Sequence, residues 1–234
     1  KGQFFLSSQI TYNGNAAGAS DIEVHAQGGN AYIVVSDDSG VATFEFTPGP
    51  AANRNGTSGN DLMIGDSRDN VFSGFKGADT LKGEDGNDVL YGNSGNDKLF
   101  GGNGKDQLRG GKGDDSIEGY GGADSLSGGR GHDWIFGGNW RDTIDGGAGG
   151  DELSGNRSED LIYGGDGRDS LYGGSQSDTL LGGNRADTLE GGDGTDTLID
   201  LDGKNSLSGG QGNDVIIAAG SGDQAAAFEA LASG

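Results

Sequence analysis

The feature that most constrains this chain is a nine-residue period that runs without insertion over residues 56–217. From Asp61 and Asn70 to Asn205 and Asp214, every ninth residue is an aspartate or its isosteric amide. Two residues after each stands an apolar side chain, from Met63 and Phe72 to Leu207 and Ile216. Five residues before each stands Gly, with Asp200 as the departure. A register kept over eighteen units marks a repeat architecture, in which no unit can bury its apolar residue alone and each must stack on its neighbours.

One full unit, Gly101-Gly102-Asn103-Gly104-Lys105-Asp106-Gln107-Leu108-Arg109, reads G-G-x-G-x-D-x-U-x, with U apolar. The glycines permit the positive φ values of a tight turn and leave its carbonyls uncovered. The aspartate closes the turn with a carboxylate. The three residues that follow make a minimal strand whose middle side chain points inward. Two units therefore complete one coil, and turns stack every eighteen residues along two edges. One edge carries Asp61, Asp79, Asp97, Asp115, Asp133, Asp151, Asp169, Asp187 and Asn205; the other carries Asn70, Asp88, Asp106, Asp124, Asp142, Asp160, Asp178, Asp196 and Asp214. Calcium takes about six to eight oxygen ligands at flexible angles, so one turn supplies about half a site and two stacked turns a whole one. Nine turns per edge leave eight gaps, which gives up to about 16 calcium sites.

Composition agrees. The chain has 234 residues with 52 Gly, 2 Pro, 31% hydrophobic residues and a net charge of −22. Without ligands, so acidic and apolar-poor a chain falls among disordered sequences. The acidity argues against nucleic acid or an anionic membrane as partner and favours cations. There is no Cys, hence no disulfide framework, and no run approaches the roughly 18 apolar residues of a membrane span. Lys1 is neither an initiator Met nor part of a secretory signal pattern, which reads as a segment of a longer protein.

On these motifs the chain resembles the RTX (repeats-in-toxin) proteins of Gram-negative bacteria over about two thirds of its length. The resemblance implies an all-β, right-handed parallel β-roll, a β-solenoid of eighteen nonapeptide units. It implies metal sites between stacked turns, each taking the aspartate of both turns and carbonyls of the glycine-rich positions. Those ligands are Asp61, Asp79, Asp88, Asp97, Asp106, Asp115, Asp124, Asp133, Asp151, Asp169, Asp196 and Asp214, with the carbonyls of Gly77, Gly86, Gly95, Gly104, Gly113, Gly122 and Gly131. It further implies type I secretion, unfolded in calcium-poor cytosol and folding outside the cell. The absence of Lys and Arg after Lys204 suits an export signal, although the tail is short for one.

The fourth position of the turn loses its Gly at Arg68, Trp140, Ser158, Gln176 and Arg185. Trp140, Ser158 and Gln176 fall on consecutive turns of one edge, where a side chain strains the turn and crowds an ion. Calcium is therefore expected to be weaker or absent at Asp142, Asp160, Asp178 and Asp187, with Arg141 and Arg157 set against Asp142, Asp160 and Asp178 in its place. The best sites are expected in the turns ending at Asp79 to Asp133.

Outside the array, residues 1–50 carry apolar clusters at 4–6, 22–24, 31–35 and 41–46, which read as short antiparallel strands. They form either a propeller-blade-like remnant or a cap. Residues 47–54 hold both prolines and read as a linker, ending at 51–55. Residues 218–234 are a tail with a short helix expected over 223–231.

No catalytic residues are expected: H-E-x-x-H and G-x-S-x-G are both absent, His25 and His132 stand apart, and Asp200 and Asp202 lack the later Glu of an EF-hand. The expected function is a non-catalytic, calcium-dependent folding and secretion module of a larger extracellular protein. The alternative is a module gripping polysaccharide or a preceding domain, for which Trp134 and Phe136, near Arg130, His132 and Trp140, are the outward aromatic candidates. An ice-binding solenoid ranks last, because Ser125 and Leu161 interrupt the rank of Thr143, Thr179 and Thr197.

Overall fold

A computed structural model describes residues 19–27, 30–37, 42–43, 53–218 and 224–226. The described chain is all β, with no helix. Its bulk is a parallel β-solenoid made of a ten-stranded and an eleven-stranded sheet. Consecutive strands alternate between the two sheets, and each strand pairs in parallel with the one eighteen residues later, as Leu108 does with Leu126 and Ile117 with Ile135. The nine-residue unit thus fixes the register as well as the strand. A slip by one residue would expose the whole apolar column.

The core is that column. Met63, Phe72, Leu81 and their successors through Leu207 are all buried, one per unit, and Ile216 packs on the end. At the opposite end the inward position eighteen residues before Phe72 belongs to Arg54, which is only 4% exposed. Its guanidinium lies 4.9 Å from the centre of the Phe72 ring, and its Nη1 donates to the Ile64 carbonyl at 2.9 Å. The cation stacks on the end of the apolar column while its Nη1 meets a backbone acceptor.

The roll is longer than its repeats. Ala42–Thr43 pairs in parallel with Asp61–Ile64, and Asn53–Asn55 with Val71–Lys76. The expected linker therefore ends in a strand of the roll, and Ala42–Thr43, within the cluster expected at 41–46, joins the solenoid sheet in parallel; the rest of that cluster lies outside the described residues. Ala19–Gln27 and Asn30–Asp37 do form an antiparallel hairpin, with Ile22 opposite Val35 and Val24 opposite Ile33. The cluster at 4–6 lies outside the described residues. In the tail, Gln224–Ala226 is a strand paired with Ser206–Gly212, where the sequence suggests a helix. Stacking on an open sheet edge outweighs the helix propensity of alanine there; the rest of 223–231 lies outside the described residues.

Candidate metal centre

Each turn aspartate holds two positions at once. Its Oδ1 accepts the backbone N–H of the aspartate eighteen residues earlier, as Asp115 Oδ1 does from Asp97 and Asp133 Oδ1 from Asp115, both at 2.8 Å. The ladder continues along both edges from Asp61 to Asp214 and ties every turn to the next. The second oxygen has no such use. From Asp79 to Asp178, each position-six Oδ2 is buried without a hydrogen-bond partner, and the same holds at Asp187, Asp196 and Asp214. Buried charges are normally paired or bound to metal, so a file of orphaned carboxylate oxygens calls for cations.

Backbone oxygens complete the surroundings. A Cβ built on Gly83 would lie 2.2 Å from Asp88 Oδ2 and 2.6 Å from the Gly101 carbonyl, so the orphan oxygen and a carbonyl of the next coil both crowd Gly83 and leave no room for a side chain. This explains why Gly is kept five residues before the aspartate. The fourth-position carbonyls are aimed along the stack: a Cβ on Gly122, at φ 142°, would lie 1.4 Å from the Gly104 carbonyl. Gly77, Gly86, Gly95, Gly104, Gly113, Gly122 and Gly131 all have positive φ, as the turn requires. Among the described residues no three His, Cys, Asp or Glu side chains converge, so a cation here must draw on carbonyls too. That donor set, all oxygen with few charges, suits calcium.

Electrostatics points the same way. Burial, reinforced by the like charges of Asp124 and Asp160, pushes the Asp142 carboxyl up to about 8 against the N–H of Asp124. Burial likewise raises Asp79, Asp115, Asp151, Asp160 and Asp178 to about 7, and Asp88, Asp106, Asp124, Asp133 and Asp169 to about 6. Burial also raises Asp97 and Asp196. Asp187 rises to about 6, first by burial and further by the buried Asp200 carboxylate beside it. Desolvation is the largest cause throughout, and the positive charges nearby, Arg141 at Asp160 and His132 at Asp133, Asp151 and Asp169, do not offset it.

The ends differ from the middle. Asp61 Oδ2 accepts from the Thr57 N–H at 2.5 Å and from its hydroxyl at 3.2 Å, so this expected ligand is already held by its own turn. Asn70 Nδ2 donates to the Arg68 carbonyl, and Asn205 Nδ2 donates to that of Asp202 at 3.0 Å. An amide at this position closes its turn with its own hydrogen bond where a carboxylate cannot.

On the Trp140 edge the backbone keeps the turn despite the side chains. Trp140, Ser158 and Gln176 adopt φ of 81°, 84° and 81°, and Arg185, on the other edge, 86°. Arg68 is not among the positive-φ residues. The hydrogen bond from Gly122 N to the Asn139 carbonyl, beside Trp140, is stretched to 3.3 Å, against 2.8 Å for Gly113 to Arg130. Arg141 pairs with Glu159, its Nε donating to the Glu159 carbonyl at 3.2 Å. Its charge eases Asp160 downward, but its direct partner is Glu159 and not the expected aspartates. Arg157, next to Ser158 in the same turn, borders a hollow with Tyr120, Phe136, Asn139 and Asn156, where that edge meets the sheet face.

Three features escaped the sequence reading. Phe75, Glu84, Asn93, Tyr120 and Asn156, at the second turn position, also have positive φ. Fifth-position side chains build an outer ladder, in which Asn96 Oδ1 accepts from the Asp114 N–H and Asp114 Oδ1 from that of His132. The recurrence of Asn and Asp just before the turn aspartate is the signal for it. Arg54 stands outside the apolar series that begins at Met63, and its inward place follows only from its pairing with Phe72, eighteen residues later.

The model of the RTX calcium-binding nonapeptide repeat (four copies) matches in overlapping windows that run from residues 55–90 to residues 181–216. No curated protein matches the sequence.

Proposed function

The chain belongs to the RTX calcium-binding nonapeptide repeat family, and from that premise we propose that residues 56–217 are a non-catalytic module of a secreted protein that folds when calcium fills its turn edges. The observation that carries this reading is the file of buried Oδ2 atoms from Asp79 to Asp178 without partners. Bound calcium supplies two positive charges per ion and accepts oxygen ligands from both turns. The ligands from this chain are Asp79, Asp88, Asp97, Asp106, Asp115, Asp124, Asp133, Asp151, Asp169, Asp196 and Asp214, with the carbonyls of Gly77, Gly86, Gly95, Gly104, Gly113, Gly122 and Gly131. Asp61 is better satisfied by Thr57. Asp142, Asp160 and Asp178 hold an ion more weakly because their turns carry Trp140, Ser158 and Gln176 at the fourth position, in the left-handed region that favours glycine.

Metal-free, the carboxylates repel one another within each edge, and the net charge of −22 favours an expanded chain. The same sequence thus stays unfolded where calcium is scarce and becomes a rigid rod where it is plentiful, which suits export by type I secretion and service as a stabilising or presenting segment outside the cell. Far-UV circular dichroism and small-angle scattering during calcium titration test this. The expected result is a gain of β signal and compaction with calcium, both reversed by chelator. A compact β protein in excess chelator at pH 8 would overturn the proposal.

A further inference from the structure

The outward face of the eleven-stranded sheet carries a second pattern, with twice the period of the turns. The residue after each core side chain lies in one row across the strands, where Phe100, Phe136 and Tyr172 alternate with Glu118, Ser154 and Glu190. Strands about 4.8 Å apart put successive rings of this row about 9.5 Å apart along the stack. Tyr120 stands beside the row, 49% exposed, its ring centre 6.4 Å from that of Phe100. Trp134 stacks on Phe136 at 5.5 Å with 21° between the planes. Tyr120 separates two open hollows, of about 320 Å³ against Lys82, Asp85 and Asn103 and about 260 Å³ against Asn139, Asn156 and Arg157.

Flat apolar rings alternating with hydrogen-bonding groups ask for a ligand whose own faces alternate at the same interval. An extended β-1,4-linked glycan does so: each sugar is turned about half a revolution from the last, and the chain repeats every two residues over a length close to two strand spacings. Charge decides its class. The hollows set Lys82 and Arg157 against Glu84, Asp85 and Glu118, so the patch has no excess of positive charge, and the chain as a whole carries −22. A polyanion finds no complement there, while an uncharged chain meets amides, carboxylates and cations able to bond its hydroxyls. We propose that this face binds an extended, uncharged β-linked glycan laid along the axis of the stack, with alternate sugars on Phe100, Phe136 and Tyr172 and with Tyr120 dividing the groove. The row of Phe100, Phe136 and Tyr172 belongs to the sheet, while Tyr120 and the residues of the hollows come from the adjoining turns.

Tyr120 allows a clean test. It sits at φ 72°, and its strand neighbours at the same register are Gly102 and Gly138, so Tyr120→Gly conforms to the turn and removes the aromatic wall with its hydrogen bond to Glu118. Phe136→Ser copies its neighbour Ser154. Isothermal titration of the calcium-saturated full chain would use cellohexaose and N-acetylated chitohexaose, with a mannuronate hexamer as the anionic probe. The expected result is binding of at least one uncharged hexamer in preference to mannuronate, weakened about tenfold in each variant by the loss of one stacked ring. No binding of either uncharged hexamer, preference for mannuronate, or unchanged affinity in both variants would overturn it. So would concentration-dependent dimerisation abolished by Tyr120→Gly, which would assign the face to a second copy of the chain.

Discussion

Replacing Trp140, Ser158 and Gln176 together by glycine is expected to stabilise the calcium-loaded protein. All three occupy the left-handed region, at 81°, 84° and 81°, where an L-residue pays roughly 1–2 kcal/mol in steric conflict. At the equivalent position of an earlier turn on this edge, a Cβ on Gly122 would meet the Gly104 carbonyl at 1.4 Å, so a side chain here forces the stack to adjust. The 3.3 Å bond between Gly122 and Asn139 shows how the stack gives way at Trp140. Glycine relieves this but loses about 0.5–1 kcal/mol of chain entropy on folding. The net gain is about 0.5–1 kcal/mol per site, and about 2 kcal/mol for the three. Little packing is forfeited, because Trp140 is 68% exposed. In a chain of this size the gain corresponds to a rise in Tm of about 4–8 °C. Scanning calorimetry in saturating calcium measures it, with Arg68→Gly as the control. Arg68 does not have positive φ, so that substitution should give no gain. A triple variant whose Tm equals or falls below that of the parent, or a gain of the same size from Arg68→Gly, would refute the strain argument.

Further predictions follow from the carboxylates and the cap. Asp133→Asn keeps the Oδ1 that accepts from Asp115, while its new amide closes on the turn as Asn70 and Asn205 do. It should lower the number of bound ions by one or two and raise the calcium midpoint, at about 1.4 kcal/mol per ion lost when calcium stands at ten times Kd; calorimetric titration reads both. The pH dependence of the chelated protein has a definite sign. The folded-state carboxyls lie at about 6 to 8 against an ordinary 3.8, so the metal-free fold binds more protons than the unfolded chain. Its stability is fully present below about pH 4 and is lost as pH rises through 6 to 8. Circular dichroism in chelator should therefore show β signal growing on acidification from pH 8 to 5, and the calcium midpoint should move to higher calcium over the same range; a flat profile contradicts the assignment of these carboxyls. Arg54→Ala removes the cation over Phe72 and the bond to Ile64, and should cost about 1–3 kcal/mol in urea unfolding with calcium present.

Much of the fold was legible because one number governs it. A period of nine with an inward apolar residue fixes strand, turn and the register by which residue i pairs with i+18, and pairs such as Leu108 with Leu126 follow. The turn carboxylates were legible by the same count. What the count does not carry is how one carboxylate divides its two oxygens. That Oδ1 is consumed by the neighbouring backbone, leaving Oδ2 buried and orphaned, depends on the stacking distance between coils and not on spacing along the chain. Thr57 holding Asp61 depends likewise on the local shape of the first turn, since threonine there replaces a glycine of the unit. Arg54 looked like linker because a charged residue at an inward position has meaning only once the end of an apolar column is known to lie beneath it. The tail failed for the opposite reason: its alanines favour a helix locally, while the open edge of the sheet offers Gln224–Ala226 a strand partner that no local propensity records. The double-period row of Phe100, Phe136 and Tyr172 was in the sequence, but it appears only when the residues are laid out by coil.

The orphaned carboxylate oxygens are placed to hold cations. Anomalous diffraction from crystals grown in calcium tests this most directly. Two rows of calcium peaks are expected along the turn edges, strongest between turns ending at Asp79 to Asp133 and weaker between Asp142 and Asp178, each within ligand distance of a position-six Oδ2 and turn carbonyls. Ordered turns at Asp97, Asp115 and Asp133 with water or nothing between them in saturating calcium would contradict it.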